Sequence, residues 1–218
     1  RRDPGAAASW DAVVTGRAGE VDALAVAMGR SRSGAEPAEL ARAARAIDPD
    51  GLLAAHREDG QLVLAVGDER FPERLALDPH APILLFARGD LAVVTGPTVA
   101  IVGTRNATRL GCEMAASLAV DLVVRGIGVV SGLALGIDGA AHRAVVAAHR
   151  AQAPAGTGRP IGVVAAGLDR PYPRRHRALH QEVAACGVVV GETPLGGAPM
   201  RWRFPARNRI IAGLADAL

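Results

Sequence analysis

Val99-Ala100-Ile101-Val102-Gly103-Thr104-Arg105 is a short apolar run that breaks into a glycine and then an arginine, and the same pattern returns three times downstream. Ile127–Val130 is followed by Ser131-Gly132, Ile161–Ala165 leads to Gly167, and Val188–Val190 ends at Gly191. Between these runs, Leu110–Arg125, Asp138–His149 and His176–Cys186 carry apolar residues at helical spacing. Short apolar runs alternating with amphipathic helices predict right-handed βαβ units. The fold class is therefore α/β, a mostly parallel sheet with helices on both faces. In such sheets ligands bind beyond the carboxyl ends of the strands. The loops there run from Gly103 to Asn106, from Ser131 to Asp138, from Gly167 to Arg174 and from Gly191 to Arg209. Each opens on a glycine or a Ser-Gly pair, which lets backbone amides approach a phosphate closely.

Before Val99 the pattern differs. Ala18–Met28 and Pro37–Ile47 are alanine-rich with helical spacing, broken by Ser31-Arg32-Ser33-Gly34 and closed by Asp48-Pro49-Asp50-Gly51. A small helical module is expected over residues 1–60. Residues 61–98 form a connector with short strands at Gln61–Val66 and Ile83–Phe86, and 99–218 form the α/β domain. Gln152–Arg159 is a surface loop.

Of the 218 residues none is lysine, so all 25 basic residues are arginine. A Walker A loop needs its lysine and a Schiff-base mechanism needs an amine, which removes both classes. The net charge of +3 is unevenly spread. Residues 1–102 hold 11 arginines and 15 acids, and residues 103–218 hold 14 arginines and 7 acids, which makes the second part the anion-binding half. Cys112 and Cys186 lack metal-ligand spacing and read as reduced core thiols. No apolar stretch reaches the roughly 18 residues of a membrane span. Arg1-Arg2-Asp3-Pro4-Gly5 is not a signal peptide. A soluble, cytoplasmic protein without membrane contact is expected.

The last loop supplies the strongest composition. Arg201, Arg203, Arg207 and Arg209 enclose Trp202 and Phe204, with no acid between Glu192 and Arg209. Arginines interleaved with aromatics suit a flat, anionic partner, nucleic acid first; a protein interface is the alternative. Arg105 should reach the crevice where a phosphate would lie, or else pair with Asp138 or Asp169. Arg174 repeats that placement in the third loop. Tyr172, between Pro171 and Pro173, stacks on a base or packs against the sheet. Ser131 offers a hydroxyl and a backbone amide to a phosphate.

Other chemistries fit less well. The dinucleotide fingerprint G-x-G-x-x-G does not follow a strand. His176 and His180 have i,i+4 spacing, but no third metal ligand accompanies them, and both read as exposed helix histidines. Asp138 reads as the cap of its helix, with His142 packing or bonding locally. Val129 stands where a nucleophile elbow needs glycine. Glu192 could be a base, or could hold a loop arginine in place; the second is favoured. No catalytic residue, metal or cofactor is assigned.

Four strings taken together resemble one family. They are Ile101-Val102-Gly103-Thr104-Arg105; Ser131-Gly132-Leu133-Ala134 with Gly136-Ile137-Asp138 and Ala141-His142; Gly167-Leu168-Asp169 with Tyr172-Pro173 and His176; and Phe204-Pro205-Ala206-Arg207-Asn208-Arg209-Ile210-Ile211-Ala212-Gly213-Leu214. In this order they are similar to the DNA-processing protein A family, also called Smf, of bacterial natural transformation. The resemblance implies an extended Rossmann-like domain that binds single-stranded DNA without catalysis. It also implies protection of incoming strands, help in loading the RecA recombinase, and a homodimer. It places DNA or phosphate contacts at Gly103, Thr104, Arg105, Ser131, Gly132 and Arg174, with Arg207 and Arg209 matching the terminal motif in form. Tyr172, Trp202 and Phe204 are the base-stacking candidates. Leu135 stands where many members carry a basic residue. The C-terminal part of the family fold, with its dimer and RecA contacts, is expected to be absent beyond Leu218. A nucleotide-processing enzyme of the phosphoribohydrolase type, with Glu192 as its acid, is the runner-up.

Overall fold

The computed structural model describes residues 48–151 and 156–218. The helical readings at Ala18–Met28 and Pro37–Ile47 lie outside the described residues, as do positions 152–155 of the Gln152–Arg159 loop. The chain divides into two units, residues 1–58 and 59–218. In the first, helix α1 (Pro49–Glu58) begins where Asp48 Oδ1 accepts the amide of Gly51 at 3.1 Å.

The second unit is built on one six-stranded sheet. In chain order its elements are β1 (Leu62–Ala65), α2 (Glu73–Ala76), β2 (Leu84–Gly89), a 3-10 turn (Leu91–Val94), β3 (Thr98–Ala100), α3 (Arg109–Val124), β4 (Gly128–Ser131), α4 (Ile137–Arg150), β5 (Pro160–Val164), a 3-10 turn (Arg174–His176), α5 (Arg177–Cys186), β6 (Val188–Gly191) and α6 (Arg203–Gly213). The strand order is β1-β2-β6-β5-β4-β3. β3 to β6 pair in parallel, with Ala100 opposite Val130, Val130 opposite Ile161 and Val163 opposite Val190. β2 joins β6 antiparallel, and β1 joins β2 antiparallel. The expected mostly parallel α/β sheet with helices on both faces is the observed one.

The pleat assigns the faces. Val130, Ile161, Val163, Val188 and Val190 point into a core completed by Ile210 and Ile211 of α6, Leu214 just after it, and Leu75 of α2. Val129 points to the other face, among Ala115, Ala119 and Val123 of α3 and Ala141 and Val145 of α4. Those alanines at helical spacing let α3 and α4 lie close over the sheet. All five residues of β5 are buried, as a central parallel strand covered on both faces requires.

α6 corrects the sequence reading, which left Gly191–Arg209 as a loop. Pro205 falls in the first helical turn, where its missing amide hydrogen costs nothing. Ile210, Ile211 and Leu214 then recur at helical spacing against the core. Burying each contributes about 1.5–3 kcal/mol, which outweighs the weak local signal of the arginine-rich start.

After α6 the chain returns to the outer edge of β3. Ala100 donates to the Ala217 carbonyl at 2.8 Å, and the Thr98 hydroxyl donates to Leu214 at 2.6 Å. Successive strands β3 to β6 thus step one way across the sheet, and the next segment crosses back beside β3. Such a reversal leaves a crevice at the strand carboxyl ends.

Candidate nucleic-acid interface

The crevice is lined by Arg105 of the first loop, Gly132, Ala134 and Leu135 of the second, Tyr172 and Pro173 of the third, and Phe204 and Arg207 of α6. Five candidates named from sequence, Arg105, Gly132, Tyr172, Phe204 and Arg207, therefore meet at one place. Their roles differ.

The floor is internal. Asp138, in the first turn of α4, is 3% exposed. Its Oδ1 accepts the Gly103 amide at 3.2 Å, and its Oδ2 accepts the Gly132 amide at 3.1 Å. Asp138 therefore does not cap its own helix, whose N-cap is Gly136. One carboxylate instead staples the first two strand-end loops together. Gly136 sits at φ 76° beneath the Thr104 carbonyl, a left-handed position with no space for a side chain.

Arg207 is the second internal group. It is 5% exposed, and its Nη1 donates to the Gly132 carbonyl at 2.7 Å and to the Val163 carbonyl. Burial lowers its pKa to about 10, with the Asp138 charge opposing that shift, so it stays protonated at neutral pH. A Cβ at position 132 would collide with the Arg207 guanidinium, so Gly132 is required there. Arg207 was expected to face a phosphate. It instead donates inward, one nitrogen serving two backbone carbonyls.

Ser131 is likewise withdrawn from any ligand. It is fully buried, and its hydroxyl donates to the Ile101 carbonyl at 2.6 Å. Arg209 lies at the margin and pairs with Glu192. That pairing is the role favoured for Glu192 from sequence, holding an arginine in place. Thr104 stays exposed, and its hydroxyl accepts the Asn106 amide at 3.2 Å.

The exposed wall has a different character. The guanidinium carbon of Arg105 lies 4.9 Å from the Phe204 ring centroid, and the Phe204 and Tyr172 centroids are 5.4 Å apart at 52°. Arg105 makes no salt bridge among the described residues, so the pairing with Asp138 or Asp169 is not formed. Asp138 holds the loop amides, and Asp169 accepts the Gly196 amide at 3.1 Å. Arg174 is exposed at the start of its 3-10 turn, followed by exposed Arg175 and Arg177. Trp202 is 64% exposed, with Arg203 stacked on it at 5.2 Å.

His176 and His180 were expected on the helix surface, and both are buried. His176 Nδ1 lies 2.9 Å from the Leu133 carbonyl, which fixes it as the donor. Its Nε2 then accepts from Arg143 Nη1 at 3.1 Å. This contact supports Leu133 at φ 54°, an uncommon left-handed position for leucine. Burial depresses His180 to about 4 and His142 to about 3, so both are neutral near pH 7. The signal for burial lay in the spacing, since His176, Leu179, His180 and Val183 share one helical face.

No group of three His, Cys, Asp or Glu residues suited to a metal occurs among the described residues. Among the same residues, no helix is long and apolar enough to cross a membrane.

Residues 62–218 match the family of DNA recombination-mediator protein A. The chain is 37% identical over 168 residues to the DNA processing protein DprA of Bacillus subtilis, covering 77% of this chain and 54% of that protein. The X-ray structure of DNA processing protein A from Streptococcus pneumoniae superposes with a TM-score of 0.69 at 33% identity, covering 89% of this chain and 64% of that one. That from Helicobacter pylori, whose structure addresses a single-stranded DNA binding mode, gives a TM-score of 0.61 at 29% identity over 72% of this chain and 66% of that one. The chain spans about half the length of the curated relatives it matches.

Proposed function

The chain belongs to the DNA recombination-mediator protein A family, and we propose from that premise that its crevice binds single-stranded DNA with little regard to sequence. The observation that carries this reading is the exposed wall: Arg105 over Phe204, with Tyr172 beside it. A guanidinium free of carboxylates attracts a phosphate, and the neighbouring rings offer a π-face to any base. Arg174, with Arg175 and Arg177, extends the cationic surface along the third loop. Gly103, Thr104, Gly132 and the buried pair Asp138 and Arg207 shape that wall from below.

The same geometry favours binding without catalysis. Asp138, Asp169 and Glu192 each have donors within hydrogen-bond reach, so none is poised as a free general base. The proposal extends to the protection of incoming strands during DNA uptake and to assistance in RecA loading, as the family resemblance implies. Dimerisation and cytoplasmic location belong to the same proposal.

Titrating oligo-dT and a duplex of equal length at two salt concentrations tests it. Single strands should bind preferentially, and affinity should fall steeply with salt, because released counterions supply most of the free energy. Equal affinity for duplex, or no salt dependence, overturns the reading. Base release from a nucleoside monophosphate would favour the phosphoribohydrolase alternative.

A further inference from the structure

We propose that Asp138 is a built-in anion that closes the crevice floor to small phosphate ligands, so that the site selects a polymeric strand over free nucleotides. The selectivity clause rests on the single-strand reading above.

The first and second strand-end loops present the Gly103 and Gly132 amides to one point, the position where folds of this architecture set a phosphate. Here that point holds the carboxylate of Asp138, one oxygen on each amide. The Arg207 guanidinium, buried beneath and bonded to the Gly132 carbonyl, supplies positive charge to the same place. Two amides and a desolvated arginine form a strong anion seat, and the chain fills it itself. An isolated mononucleotide or phosphate ion must then rely on exposed side chains such as Arg105 and Arg174, one or two contacts in high dielectric. A strand repeats such contacts along its length, and the contributions accumulate.

The test uses the whole chain with inorganic phosphate as probe, at constant ionic strength. Wild type should show no saturable binding in calorimetry and no phosphate-dependent rise in Tm. Asp138→Gly, which empties the seat, should lower Tm without phosphate and recover it saturably as phosphate is added. Its phosphate affinity should exceed the upper limit that the wild-type titration sets by about tenfold or more, the worth of a charge-assisted hydrogen bond. A purely structural role would lower Tm but give no phosphate-specific recovery. If Asp138→Gly does not fold, Asp138→Ala decides, because its methyl group also removes the carboxylate from both amides and should give a gain of the same kind. Saturable phosphate binding by wild type, or a folded variant without the gain, overturns the proposal. Oligo-dT is titrated in parallel: if wild type binds none while the phosphate gain appears, the self-filled seat stands and the single-strand reading falls.

Discussion

The Arg105 guanidinium lies over the face of the Phe204 ring, 4.9 Å from its centroid. One residue comes from the first strand-end loop and the other from the first turn of α6, so the contact closes the crevice from two directions. It also presents a cation beside a ring, with Tyr172 tilted against that ring at 52°.

Phe204→Leu keeps apolar bulk and removes the ring. Affinity for oligo-dT should fall by roughly tenfold, in line with the ~1–3 kcal/mol of a base–aromatic stack. Tm should move little, since Phe204 is only half-buried. Fluorescence anisotropy showing unchanged affinity would remove Phe204 from the binding surface.

Arg207 and Arg174 should separate by phenotype. Arg207→Ala leaves the Gly132 and Val163 carbonyls without their donor and should cost about 3 kcal/mol of stability. A chemical-denaturation midpoint equal to wild type would contradict that role. Arg174→Ala should leave the midpoint in place and weaken every DNA sequence alike.

Acid should destabilise the unit through its buried histidines. His180 and His142 have folded pKa values of about 4 and about 3, below the ordinary 6.5, because burial disfavours the charged ring. The unfolded chain therefore binds more protons below pH 6.5, so stability is full above that pH and declines as pH falls toward 4 and then 3. Urea midpoints recorded across this range should fall steadily, and His180→Gln should flatten the part of the decline between about pH 6.5 and 4. A decline identical in that variant would assign it to other groups.

Glu192→Gln should change little. Its partner Arg209 is about one-third exposed, and partly solvated pairs of this kind contribute roughly 0–1 kcal/mol. A loss of oligo-dT binding beyond about twofold would show that Glu192 does more than hold Arg209.

The sheet was legible because each parallel strand is a short apolar run ending in glycine, and Gly103, Ser131-Gly132, Gly167 and Gly191 marked the ends that line the crevice. α6 was not, because Pro205 and four arginines conceal a helix whose evidence is tertiary, the packing of Ile210, Ile211 and Leu214. The hidden roles share one cause. Arg207, Ser131, His176 and His180 are polar, and a sequence states that a polar group exists without stating which carbonyl answers it. Asp138 was singled out, but its two amide partners lie in different loops and only the folded chain brings them together.

The most direct measurement is the salt dependence of oligo-dT affinity for wild type and Arg105→Ala. If Arg105 meets a phosphate, the variant should bind every sequence more weakly, and the slope of log affinity against log salt should shrink by about 0.7, the value of one single-strand contact. Equal affinity and equal slope in the two proteins would contradict the placement of the strand in this crevice.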